Sequence, residues 1–280
     1  MDLILKIQSY SNTSLDQFFQ LATMLGEDSF LILIAVIIYW CFDKNVGFRL
    51  GVLYCFSMVL NNIIKEIITA PRPVGLEGIR SLRLETATGY SFPSGHTQGT
   101  ATFWTALAQA LGSRTILALA LAIIIVVGFS RLYLGVHYPQ DVFWGAVFGI
   151  IVTLSGGPAM SALEKNILQA GKVFLIVMIS ILTVMLFVHS SDMFKASGAL
   201  TGLMAGRYIE ERYIGFEAQS TVLFNIIKFI TGMAVLLGIK EGLKLALPEI
   251  LLSDFIRYMA VGIWTALGAP CLFTRLSRWN

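Results

Sequence analysis

The feature that most constrains this chain is a succession of apolar runs, each close to the length an α-helix needs to cross a bilayer. A spanning helix takes about 20 mainly apolar residues. Runs near residues 28–42, 47–68, 97–112, 115–130, 140–156, 172–190, 193–209, 221–240 and 251–273 come close to that length, which predicts about nine spans. Composition agrees: 56% of the 280 residues are hydrophobic and 13% are charged, where a soluble domain keeps roughly a quarter of its residues charged. The expected class is therefore an all-α, polytopic transmembrane helical bundle. The opening MDLILKIQSYSN has one lysine and too short an apolar stretch for a signal peptide, and reads as an interfacial helix ahead of the first span.

Other classes drop out on the same reading. Cys41, Cys55 and Cys271 are odd in number and fall in or beside apolar runs, which fits packing residues rather than a disulfide framework or a metal site. The net charge is only +3 and the basic residues are scattered, so no nucleic-acid surface is expected.

Two interruptions organise the chain. The segment from Thr69 to Phe92 is long, polar and rich in glycine and proline, and loops of that length in compact proteins are often functional. A second seam at residues 156–172 separates the first five spans from the rest. We read residues 1–190 as a core of an interfacial helix and about six spans, and residues 191–280 as a helical extension. That extension carries Gly198, Gly202 and Gly206 at spacings of four. Such a stripe lets two helix backbones approach, either within the chain, the favoured reading, or across a homo-oligomer seam.

Charge at a membrane edge is costly, so its placement carries information. Lys65 and Arg72 follow the second span; Ser94, Gly95 and His96 open the third; Arg131 and His137 close the fourth; Asp141 opens the fifth. Successive spans alternate in direction, so these four places fall on one face of the membrane. Fixed cations with helix N-terminal amides suit a dense anion such as phosphate. Glycine at position 95 permits close backbone approach. Two histidines can divide acid and nucleophile duties near neutral pH, and Asp141, four residues after His137, can hold one ring nitrogen.

At this point the residues resemble a known family. Lys65 to Pro73 reads K, six residues, R-P; Pro93 to His96 reads P-S-G-H; Ser130 to Asp141 reads S-R, five residues, H, three residues, D. Together they are similar to the three signature motifs of the type 2 phosphatidic acid phosphatase superfamily, which includes glucose-6-phosphatase and the vanadium haloperoxidases. The resemblance covers roughly residues 28–190. It implies a six-helix phosphatase core with about three additional C-terminal helices. It further implies that His137 attacks phosphorus to form a phosphohistidine, that Asp141 orients it and that His96 protonates the leaving oxygen. Lys65, Arg72, Ser94, Gly95 and Arg131 would bind the phosphate, with no metal and no cofactor required.

The expected partner is a membrane lipid whose phosphate sits at headgroup level: phosphatidic acid, phosphatidylglycerol phosphate, a sphingoid phosphate or a polyprenyl diphosphate. Alternatives are a phosphatase of soluble esters, and a non-catalytic lipid-binding or transport protein on the same fold. An intramembrane serine protease using Ser94 would leave the three cations without a purpose. Arg80 and Arg83 in the long loop were weighed as headgroup contacts against a solvated loop. For sidedness, Lys44, Arg49, Arg114, Lys165, Lys172, Arg207, Arg212, Arg275 and Arg278 thread opposite the site. They outnumber Lys6, Lys195, Lys240, Lys244 and Arg257 on its own side. Positive residues prefer the cytoplasm, so the site is expected on the extracytoplasmic face of a plasma or inner membrane.

Overall fold

The structure, a computed structural model, describes residues 1–163 and 167–277. Among them every regular element is helical. In chain order the helices are α1 (Asp2–Gln8), α2 (Thr13–Met24), α3 (Asp28–Cys41), α4 (Lys44–Ile68), α5 (Gly95–Leu111), α6 (Arg114–Tyr133) and α7 (Pro139–Leu163). They continue with α8 (Ile167–Met185), α9 (Ser191–Tyr213), α10 (Val222–Ala246), α11 (Leu251–Ile263) and, after a wider turn at Trp264–Gly268, α12 (Ala269–Ser277).

All nine apolar runs are helices, but fewer than nine are both long and apolar enough to cross a membrane. By that test α4, α6, α7, α10 and the stretch Leu251–Ser277 qualify, with α2 and α3 as a sixth if their 44° bend is taken as one broken span. Helix α3 has only 14 residues and α5 only 17. Helix α9 fails for its charge, carrying Asp192, Lys195, Arg207, Glu210, Glu211 and Arg212. The interfacial helix expected at the N-terminus is present as α1. Helix α2 was not expected; it starts where Asn12 accepts a hydrogen bond from the Leu15 amide. Lys165 and Arg278, used in the charge count, lie outside the described residues.

Helix boundaries follow local chemistry. The Asp43 carboxylate accepts from the amides of Asn45 (2.8 Å) and Val46 (3.1 Å) and so starts α4. Gly112, at a φ of +60°, stops α5, and Ser113 at once caps α6 by accepting from the Ile116 amide. A residue with a Cβ at position 112 would be strained in that left-handed turn.

Two compact units emerge, each discontinuous in sequence. The first comprises Met1–Ile32 and Leu60–Gly157. Here α7 lies tight against α5: a Cβ on Gly149 would come within 2.5 Å of the Gln98 carbonyl, and one on Gly145 within 2.8 Å of the Ser94 carbonyl. Hydroxyls continue the seam, with Thr105 donating to Thr153 (3.0 Å) and Thr153 donating to the Thr102 carbonyl (3.0 Å). Small residues and hydroxyls hold helices together where lipid removes the hydrophobic drive.

The second unit comprises Leu33–Val59 and Pro158–Asn280. Its seam is the glycine stripe. A Cβ on Gly198 would meet the Phe255 carbonyl at 2.3 Å and one on Gly202 the Met259 carbonyl at 2.2 Å, while Gly206 faces Ile263 and Ala266. The stripe is thus taken up inside the chain by α11, the intramolecular use of it.

Candidate active site

All eight residues singled out in the sequence belong to the first compact unit. Lys65 ends α4, Ser94 caps α5, Gly95 and His96 are its first residues, Arg131 lies in the last turns of α6, and Asp141 is in the first turn of α7. Arg72 and His137 lie on the connecting segments. Lys65, Ser94, Arg131, His137 and Asp141 are all buried.

His137 is held from both sides of its ring. Its Nδ1 lies 3.4 Å from Asp141 Oδ2, and its Nε2 lies 2.9 Å from Arg72 Nη1. A guanidinium can only donate, so Nε2 carries the lone pair and the ring proton belongs on Nδ1, facing the carboxylate. Burial, together with the charges of Arg72, Arg131 and Lys65, holds this imidazole well below the ordinary histidine value. The ring is therefore neutral at physiological pH, with its lone pair on Nε2.

Asp141 is fixed in turn. Its Oδ2 accepts from Ser91 Oγ at 2.5 Å and from the Tyr138 amide at 2.8 Å, and its backbone carbonyl accepts from the Ser94 amide at 3.0 Å. Ser91 Oγ also stands 3.4 Å from His137 Nδ1. Arg72 is anchored by loop carbonyls: Nε donates to Gly89 (2.9 Å), Nη2 to Thr88 (2.6 Å) and Tyr90 (3.2 Å), and Nη1 to Val136 (3.0 Å).

The turn into α5 closes the other side. The Ser94 hydroxyl accepts from Thr97 Oγ1 (3.0 Å) and caps the helix. A Cβ on Gly95 would stand 4.0 Å from Lys65 Nζ, so the glycine keeps the backbone open to that ammonium. Asn61 supports the turn by donating to the Pro93 carbonyl (3.2 Å) and to Gln98 Oε1 (2.9 Å). His96 lies in the field of Arg131, His137, Lys65 and Arg72. Among the described residues its Nε2 has no hydrogen-bond partner, and neither do Arg131 Nε and Nη2. Buried donors left this way are expensive in a structural role, and they are what an anion site requires.

Sequence reading missed Ser91, Asn61 and Thr23, the last of which accepts from Arg131 Nη1 at 2.8 Å. Ser91 sits two residues ahead of Pro93, so its nearness to the motif was a usable signal. Thr23 gave none, because α2 itself went unread. Arg80 and Arg83 turn inward. Arg80 forms a two-pronged pair with Asp16 (2.6 Å each), and Arg83 pairs with Glu27 (2.5 Å) and donates to the Gln20 carbonyl (3.0 Å).

Sequence comparison puts a family on this geometry. The model of the PAP2 superfamily matches residues 47–164, and that of the PAP2 superfamily phosphatase transmembrane extension matches residues 194–278. Phosphatidylglycerophosphatase B of Bacillus subtilis is 30% identical over 143 residues, covering 46% of this chain and 68% of that protein. The chain belongs to the PAP2 superfamily. Another PAP2-type relative is the probable sphingosine-1-phosphate phosphatase of Dictyostelium discoideum, 34% identical over 166 residues, covering 55% of this chain and 40% of that one. The crystal structure of Aquifex aeolicus LpxE aligns with a TM-score of 0.48 at 30% identity, covering 55% of this chain and 91% of that chain. The chain spans about two fifths of the length of the sphingosine-phosphate phosphatase relatives it matches. It is an integral membrane protein with a PAP2 core and the family's transmembrane extension.

Proposed function

We propose that this protein hydrolyses the phosphate monoester or diphosphate of a membrane lipid through a phosphohistidine on His137. The observation that carries the reading is the His137 ring, with Nδ1 against Asp141 and a lone pair on Nε2 directed at Arg72. When a phosphoryl group binds, the Arg72 Nη1 hydrogen passes from Nε2 to a phosphate oxygen, and Nε2 attacks phosphorus in line. The bond to the lipid oxygen breaks as His96 gives that oxygen a proton. His96, now neutral, takes a proton from water, whose oxygen attacks phosphorus and breaks the P–N bond, returning His137 and releasing inorganic phosphate. Lys65, Arg72 and Arg131, with the Gly95 amide and Ser94 at the α5 N-terminus, spread the charge of the pentavalent transition state. These charges come from the chain, so chelators are expected to leave turnover unchanged and vanadate to inhibit.

The substrate class follows from where the site lies. Four helix ends at one membrane face suit a phosphate at headgroup level with its tail in lipid. The named substrates of the relatives, sphingosine-1-phosphate and phosphatidylglycerophosphate, have that form. Phosphate release by purified protein in mixed micelles, across phosphatidic acid, phosphatidylglycerol phosphate, sphingosine phosphate and a polyprenyl diphosphate, tests it. A preference that vanishes in His137→Ala supports the chemistry and names the lipid. Release from soluble esters alone moves the function to a soluble substrate, and no release from any of them leaves a lipid-binding or transport role.

The site is further read as facing the extracytoplasmic side, on the positive charge of the opposite loops, Arg49, Arg114 and Lys172 among them. A cysteine introduced at Gly75, an exposed turn of the long loop, should react with a membrane-impermeant maleimide in intact cells. Protection there, with labelling only after lysis, reverses the orientation.

A further inference from the structure

The site contains a residue from outside the matched family region. Thr23 lies on α2, ahead of residue 47 where the PAP2 match begins, and both Thr23 and Arg131 are fully buried. The Arg131 Nη1 donates to Thr23 Oγ1 at 2.8 Å. Among the described residues, Nε and Nη2 of the same guanidinium have no partner. Those two nitrogens form one edge of the guanidinium plane, the edge that meets two oxygens of a phosphate side by side. The bond to Thr23 therefore occupies the group on the far side and leaves the matching edge open.

Such an anchor has work to do here. Arg131 is repelled by Arg72 and Arg83 and drawn toward Glu27 and Glu85, so an untethered guanidinium would turn away from the phosphate position. The end of α2 is itself immobilised. At Gly26 a Cβ would strike Thr100 Oγ1 at 2.6 Å and Val127 at 2.7 Å and would approach the His96 carbonyl at 3.3 Å. Only glycine lets this turn rest on the two helices that carry His96 and Arg131.

We propose that Thr23 is a positioning residue that fixes the Arg131 guanidinium with its Nε and Nη2 edge presented to the phosphoryl group. The proposal rests on the phosphatase reading for its ligand, but its readout can be separated from turnover. Full-length protein in mixed micelles is compared as wild type, Thr23→Val and Thr23→Ser, with kcat, KM and vanadate inhibition measured, and with vanadate binding followed directly by thermal shift.

Thr23→Val keeps the shape and loses the acceptor, so KM and the vanadate inhibition constant should rise about 10- to 100-fold. Thr23→Ser restores the oxygen and should return both to within about threefold of wild type. Equal loss in Val and Ser variants would show that the methyl packing matters rather than the oxygen, and an unchanged Thr23→Val would end the proposal outright. If Thr23→Val does not fold, Thr23→Ala carries the same expectation without a buried methyl in the acceptor's place. If wild type releases phosphate from no substrate, the functional reading fails by itself. The Thr23 proposal then stands or falls on whether vanadate binding weakens in Thr23→Val and recovers in Thr23→Ser.

Discussion

The two compact units bury charge in opposite ways. In the unit holding Met1–Ile32 and Leu60–Gly157, Arg131 is fully buried with two of its nitrogens unpartnered among the described residues, and His96 Nε2 is likewise open. In the unit holding Leu33–Val59 and Pro158–Asn280, the buried charges answer one another. Lys228, fully buried, donates to the carbonyls of Ala218 (2.6 Å) and Trp40 (2.8 Å) and lies 5.5 Å from the Phe216 ring centre. Glu210, equally buried, meets Lys44 (3.1 Å), Arg207 (3.3 Å) and the Phe216 amide (2.5 Å), and Arg207 goes on to Glu211 and Asn45 (2.5 Å each). A closed network of this kind fixes a fold, whereas an open one awaits a ligand. The contrast assigns chemistry to the first unit and architecture to the second.

The contrast breaks most sharply at His137. His137→Ala should cut phosphate release by at least about 10⁴-fold, since the nucleophile is lost, with the thermal midpoint nearly unchanged. A second cut falls on the other unit. Glu210→Gln leaves Lys44 and Arg207 against a neutral amide and should cost about 3 kcal/mol of stability, measured by denaturant titration in detergent. Turnover per folded molecule should stay within about twofold of wild type. If Glu210→Gln instead lowered turnover without a stability loss, the division of labour between the units would be wrong.

What the sequence made legible is what depends on residue type and order. Apolar runs located the helices, and alternating direction brought Lys65, His96, Arg131 and Asp141 to one face before any coordinates existed. Less legible was whatever depends on packing. Helix α2 mixes Asp16, Gln17 and Gln20 with Phe18 and Phe19, so it lacks the continuous apolar signal of a span, and Thr23 went with it. The compact units do not follow chain order: Leu33–Val59 groups with the C-terminal residues, a matter of which side chains interlock. The loop arginines looked available to a headgroup because a sequence cannot show that Asp16 and Glu27 reach them first.

The finest cut is at Ser91, which separates orienting the nucleophile from being it. Its Oγ donates to Asp141 Oδ2 at 2.5 Å, the oxygen that also faces His137 Nδ1, so it limits where the carboxylate can hold the ring. Removing a hydrogen bond to a charged group costs about 1.5–3 kcal/mol, so Ser91→Ala should lower kcat about 10- to 100-fold. Phosphate oxygens are held by the cations and the α5 N-terminus, which Ser91 does not touch, so KM and vanadate inhibition should move little. Thr23→Val is expected to do the reverse, raising KM and weakening vanadate while kcat changes less. Measuring the two variants side by side asks whether ring orientation and anion binding are separable tasks in this site. If both variants shifted kcat and KM together, the residues would belong to one cooperative network and neither role could be assigned alone.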